Sequence, residues 1–422
     1  MVNKLFHRLG LLFFLLMLVV PTTYQVERGA LLMVLVAGGV YKSLAGKWRI
    51  DKRVLVVGLG CVTTSLMFML YGLLNDAPGA VEVGTVYVLW PLLFIFFMGV
   101  ANSPSDFEPI IKVIIVGVMI ASMMGILLVA EGFGGIGLNM KFILGGQGAA
   151  LGISEGTVEY RLYNMNTVIY GFPFLLALIL LPKELRFCNK FWNRLTLITL
   201  GLTFITLLIS GRRAFWVIVT ISPLVIFVIY RVAGLANPFK VKSFFYLAVF
   251  VLLSLLIGDL VFELRFDQYI GNILAGFDFG DVSNVAASAR AEQFYALLHG
   301  WMENPLLGAG HGAAAPGSIR SAEHPWAYEL TYLALLFQIG LIGSIIYASA
   351  VFWIYVKSIR FVHIRPRAAA MFLPLLVGLT CFLIANATNP YLMKFDYLWT
   401  IFLPVGVLNA YLLQCSHGYC HC

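Results

Sequence analysis

Arg212 and Arg213 stand side by side in LLISGRRAFWVIV, between apolar runs that are each about long enough to cross a bilayer. Arg265, Arg290 and Arg320 follow downstream. Arginine grips phosphate well because its planar fork donates paired hydrogen bonds and keeps its charge at any working pH. Several of these side chains converging at headgroup depth would make a diphosphate site. The plainer reading is that each arginine snorkels to the interface and pairs with lipid phosphate or with acids such as Glu263 and Asp267. That reading suffices for any one arginine alone; the adjacent pair favours a function.

Acid–base candidates lie close by, in SAEHPWAYELTYLALLFQIGLIG. Pro325 suits the first position of a helix, which would make His324 the N-cap and place Glu329 about one and a half turns in. At a helix N-terminus the imidazole tends to be neutral and able to accept a proton. Either His324 or Glu329 could therefore act as general base toward a hydroxyl nucleophile. The plainer alternatives are a capping histidine and an ion pair between the glutamate and one of the arginines.

The elements that must position these groups are membrane helices. The chain has 422 residues, 61% of them hydrophobic and only 11% charged, with mean hydropathy +0.91. Soluble domains carry about 25% charged residues, so the composition excludes that class. At roughly 20 apolar residues per crossing, twelve spans are expected, near 9–24, 29–44, 54–74, 84–101, 109–130, 165–182, 195–211, 214–231, 243–262, 327–356, 368–386 and 397–414. The first span lacks a small-residue cleavage site and reads as an uncleaved helix. Lysines and arginines concentrate in short loops, and placing those loops in the cytoplasm puts both termini inside. The net charge of +8 is then a topology signal and implies no nucleic-acid partner. The central thirds of the helices hold no Asp, Glu, Lys or Arg. An ion-coupled transporter needs such groups, and no basic groups suited to the cavity of a lipid flippase stand out.

Two connections are long, and both fall on the outer side. One, about Glu131 to Asn164, is glycine-rich and suggests flexible or re-entrant backbone. The other, 264–324, holds an amphipathic helix near 285–302 with Phe294, Leu297, Leu298 and Trp301 on one face. Asn304-Pro305 ends that helix, and Gly308, Gly310 and Gly312 leave the next stretch free. There is no internal repeat. The six cysteines imply no disulfide framework, and the tail CSHGYCHC matches no common zinc spacing, so no metal and no cofactor are expected.

SGRRA, the helix opening at Arg290 that runs into NPLLGAGHG (Asn304 to Gly312), and the closing GLIG (Gly340 to Gly343) together resemble one family. It is the O-antigen polymerase and O-antigen ligase superfamily of bacterial inner-membrane glycosyltransferases. The likeness covers mainly Ser210 to Gly343. It implies an all-α polytopic fold of about twelve transmembrane helices, with a large periplasmic loop between the ninth and tenth. It also implies a donor glycan held on undecaprenyl diphosphate at the periplasmic face. The anomeric carbon passes to a hydroxyl of a glycan or lipid A–core acceptor, with arginines neutralising the leaving diphosphate and no metal required.

Arg212, Arg213 and Arg290 match the arginine positions of that family; Arg265 and Arg320 join them by location. Many members carry a histidine eleven residues before the first glycine of the closing motif, where this chain has Glu329. That departure favours a polymerase of O-antigen or related repeat units over a ligase. A transporter or flippase of lipid-linked glycan is the alternative of another class. Membrane lipids are further partners, with room for a chain-length regulator.

Overall fold

The computed structural model describes residues 2–21, 23–132, 149–154, 157–162, 164–186, 189–210, 213–235, 285–318 and 321–415. Helices cover eleven of the twelve expected segments; the remaining one, 243–262, lies outside the described residues. With the helix expected in the long 264–324 connection added as α9, the helices are α1 (Val2–Val19), α2 (Gln25–Leu44), α3 (Lys52–Leu74), α4 (Ala80–Val100), α5 (Phe107–Gly132), α6 (Met165–Leu180), α7 (Lys190–Leu208), α8 (Arg213–Val232), α9 (Val285–Glu303), α10 (Thr331–Ile364), α11 (Ala369–Ala385) and α12 (Trp399–Gln414). Among the described residues, seven helices are long and apolar enough to cross a membrane, and α1, α6 and α12 are shorter apolar helices. The expected all-α character is interrupted once. Within the glycine-rich connection, β1 (Ala149–Ser154) pairs antiparallel with β2 (Thr157–Leu162), Ala149 opposite Leu162 and Ser154 opposite Thr157.

Helix starts follow ordinary capping chemistry. Asp51 caps α3 by accepting from the Arg53 N–H at 2.9 Å, and Asn189 caps α7 by accepting from Trp192 at 3.1 Å. Helices α6 and α11 are apolar on every side and buried almost throughout, so they form the centre of the bundle. They approach closely because Gly378 leaves room for the Tyr170 ring, while Gly171 does the same for Val118 of α5. Polar side chains also join the helices. Ser122 donates to the Thr203 hydroxyl at 3.1 Å, joining α5 to α7, and Thr206 donates to the Ser122 carbonyl at 3.0 Å. By contrast α2, α3 and α10 expose large apolar side chains such as Met33, Val56, Met67 and Phe352. That pattern suits a lipid solvent.

The largest departure from helical regularity is inside α10, at Gly340 (φ 59, ψ −167). Its break removes the i→i−4 bonds that would link residues 341 and 342 to 337 and 338. The loop after α9 replaces all four partners. Leu341 and Ile342 donate to the carbonyls of Pro305 and Leu306 at 3.0 and 3.1 Å, while Ala309 and Gly310 donate to those of Phe337 and Gln338 at 2.8 Å each. Gly340 itself admits no side chain, since a β-carbon there would collide with the Leu306 carbonyl. Far from leaving the backbone free, the glycines of NPLLGAGHG let it lie pinned between α10 and the last turn of α3. There the His311 N–H donates to the Phe68 carbonyl at 3.0 Å and the Gly79 N–H to the Gly312 carbonyl at 3.0 Å.

Candidate functional site

At the loop end of α9 and α10 the chain brings two of the candidate groups together. Arg290 donates from Nε to Glu329 Oε2 at 2.8 Å, and the two side chains are 27% and 21% exposed. The pair is held from both sides. One turn along α9, the buried Gln293 accepts the backbone N–H of Glu329 at 3.1 Å, so a single helical face fixes both the carboxylate and its peptide. That face continues through Leu297 to Gly300, where the lack of a side chain lets the Phe337 ring of α10 pack against the helix. The expected stripe of Phe294, Leu297, Leu298 and Trp301 is therefore corrected. Phe294 is 39% exposed and Trp301 is only partly buried, its indole N–H donating to the Pro305 carbonyl at 3.0 Å. Close approach at a glycine outweighs the apolar count of the other face.

The expected helix start at Pro325 is also corrected. A turn at 325–326 gives way to irregular backbone through 330, and α10 begins at Thr331. Side-chain anchors explain the delay: Tyr328 is fully buried, with its hydroxyl accepting the Ala315 N–H at 2.5 Å, and Thr331 donates to the Asn389 carbonyl at 3.0 Å. Glu329 thus precedes the helix instead of lying inside it, and His324 caps nothing. His324 is 55% exposed, with Nδ1 3.7 Å from Glu82 Oε2 and its ring edge-on to Trp326. Trp326 in turn covers Gly79 at the start of α4.

Of the remaining candidates, Arg213 opens α8 and is described in its backbone alone; Arg212, Arg265 and Arg320 lie outside the described residues. The tail beyond residue 415 lies outside them too. Among the described residues no group of three His, Cys, Asp or Glu side chains converges as a metal site.

Three features escaped the sequence reading. The first is Arg28, buried at the start of α2, which bonds Asp396 and the Pro21 carbonyl and ties the α1–α2 turn to the segment before α12. Burial pushes the Asp396 carboxyl up to about 6, against the pull of the Arg28 charge. The second is His311, fully buried and stacked on Tyr87 at 5.3 Å, with Nε2 3.4 Å from the Tyr347 hydroxyl. Burial brings its pKa down to about 4, while Gln338 pulls the other way. Tyr87 sits in a π-helical segment, Thr85–Leu89, a distortion frequent at functional sites.

The third is a cavity of about 650 Å³ at the opposite end of α3, bounded by α1, α2, α4, α5 and α12 and lined near its mouth by Lys42, Lys47 and Arg49. Basic groups facing a cavity are thus present, contrary to the sequence reading. The charge count had absorbed all three as loop residues.

No family model and no curated protein matches the chain.

Proposed function

We propose that the chain is a bacterial inner-membrane glycosyltransferase that polymerises undecaprenyl-diphosphate-linked repeat units of O-antigen or a related polysaccharide at the periplasmic face. The observation that carries this reading is the Arg290–Glu329 pair, which joins a phosphate-binding group and a base candidate at one site. An acceptor hydroxyl attacks the anomeric carbon, the glycosyl–phosphate C–O bond breaks, and the lipid diphosphate leaves with the bonding electrons. The hydroxyl proton passes to Glu329. Arg290 pairs with that carboxylate; a diphosphate oxygen competing for the same guanidinium releases Glu329 as a base when donor is bound. Arg212, Arg213, Arg265 and Arg320 supply further positive charge in this reading, and His324 is the other base candidate. Twelve membrane spans with both termini in the cytoplasm and the site in the periplasm complete it.

The test is the lipopolysaccharide gel profile of a host strain lacking this gene, with undecaprenyl-linked glycan analysed beside it. Core carrying a single repeat supports the polymerase. Bare core with long polymer on the carrier lipid means a ligase instead. An unchanged profile with lipid-linked glycan trapped on one leaflet means a carrier, the second reading, which the basic cavity favours.

A further inference from the structure

The cavity at the far end of α3 has the shape and charge of a lipid socket. Its walls are apolar and largely aromatic, among them Phe14, Phe94, Trp399 and Phe402. Along α1 the lining runs from Phe6 to Met17, which at the helical rise is about 16 Å, or roughly one leaflet of a hydrocarbon core about 30 Å thick. The mouth carries three cations, Lys42, Lys47 and Arg49, with His7 beside them, against one carboxylate, Asp106.

That carboxylate already accepts the Ser103 N–H at 3.1 Å in a capping box, so part of its hydrogen-bonding capacity is spent on the backbone. The backbone that carries two of them is held in place. Trp48, between Lys47 and Arg49, donates its indole N–H to the Phe96 carbonyl at 3.0 Å and packs where Gly99 has no side chain, and the Arg49 N–H donates to the Gly99 carbonyl at 2.9 Å. Lys42 sits with its ammonium 4.5 Å from the Phe6 ring centroid. A cluster of basic groups lining a leaflet-deep apolar slot is complementary to a phosphate headgroup bearing an acyl chain.

We propose that this cavity binds one anionic phospholipid of the surrounding leaflet, its acyl chain between α1, α4 and α12 and its phosphate at Lys42, Lys47 and Arg49. The inference is independent of the glycan chemistry, because the cavity shares no residue with the Arg290–Glu329 site.

The experiment uses the full chain purified from nanodiscs holding equal phosphatidylglycerol and phosphatidylcholine, with retained lipid read by native mass spectrometry. Wild-type protein should retain one phosphatidylglycerol in clear preference, and the preference should weaken as salt rises. Replacing Lys42, Lys47 and Arg49 together by Ala should cut the preference roughly tenfold or more. Lys47→Ala, in the connection outside the helices, should cut it partially if the triple variant folds poorly. Gly10→Phe, which adds bulk to the slot wall while sparing the charges, should abolish retention. Equal retention of both lipids by wild type, or unchanged preference in the charge variants, overturns the proposal. So does preferential retention of added undecaprenyl phosphate, which would make the socket an isoprenoid site.

Discussion

The two ends of α3 differ in their balance of charge. At its C-terminal end, polar groups meet partners within the protein: Arg290 meets Glu329, His324 faces Glu82, and the loop backbone is bonded to α10 atom for atom. At its N-terminal end Asp51 pairs with Arg53 at 3.0 Å, while Lys42, Lys47 and Arg49 line a cavity together with one carboxylate, Asp106. A site whose charges are answered internally is preorganised and yields them only to a stronger competitor. A site with surplus charge attracts a counter-charged occupant from outside. The first arrangement suits a ligand that must trigger chemistry, and the second a ligand that stays.

Breaking the answered end should have the largest effects. Arg290→Ala removes the proposed phosphate-binding group and leaves Glu329 without its guanidinium; glycan transfer in membranes should fall by roughly 10²–10³-fold, with the protein still inserted. Glu329→Gln keeps the size of the side chain and a hydrogen-bond acceptor but removes the base. Transfer should fall at least ~10²-fold, whereas His324→Ala should fall far less; the reverse order would make His324 the base.

The clamp beside the pair should fail next. Gly340→Ala forces a side chain into a left-handed position against the Leu306 carbonyl, and should cost about 3 kcal/mol of stability, seen as a lower thermal midpoint in detergent. Wild-type stability in that variant would mean that α10 closes its break without the loop.

A smaller, pH-dependent effect sharpens the comparison further. His311 in the folded chain titrates near 4 against an ordinary 6.5, so the neutral ring is the stabilised form. Its contribution is present in full above about pH 6.5 and is lost as pH falls through that value toward 4. The thermal midpoint of the wild type should therefore drop over that window more steeply than that of His311→Gln, and parallel curves would remove the histidine from the account.

Much of this architecture is written in local pattern. Apolar runs mark the helices because each needs only its own hydropathy, and α9 shows itself between Val285 and Glu303 by periodicity and the Asn304-Pro305 stop. An ion pair of Glu329 with an arginine was one of the open readings, and its partner, Arg290, became visible only in the geometry. What stayed hidden depends on contacts far apart in the chain. Arg28 and Asp396 read separately as helix-flanking charges, though folding buries them together. NPLLGAG read as a flexible glycine segment and GLIG as part of a helix, though each supplies the hydrogen bonds the other lacks. Pro325 gave a sound helix-start signal that the burial of Tyr328 overrides.

The most direct test of the central claim is transfer by the purified protein in nanodiscs, supplied with one chemically defined undecaprenyl-diphosphate-linked repeat unit. The account predicts a ladder of lengthened lipid-linked glycan with release of undecaprenyl diphosphate by the wild type, and neither product from Arg290→Ala. Wild-type amounts of product from Arg290→Ala would contradict it, as would a wild-type protein that binds the donor and never releases the diphosphate.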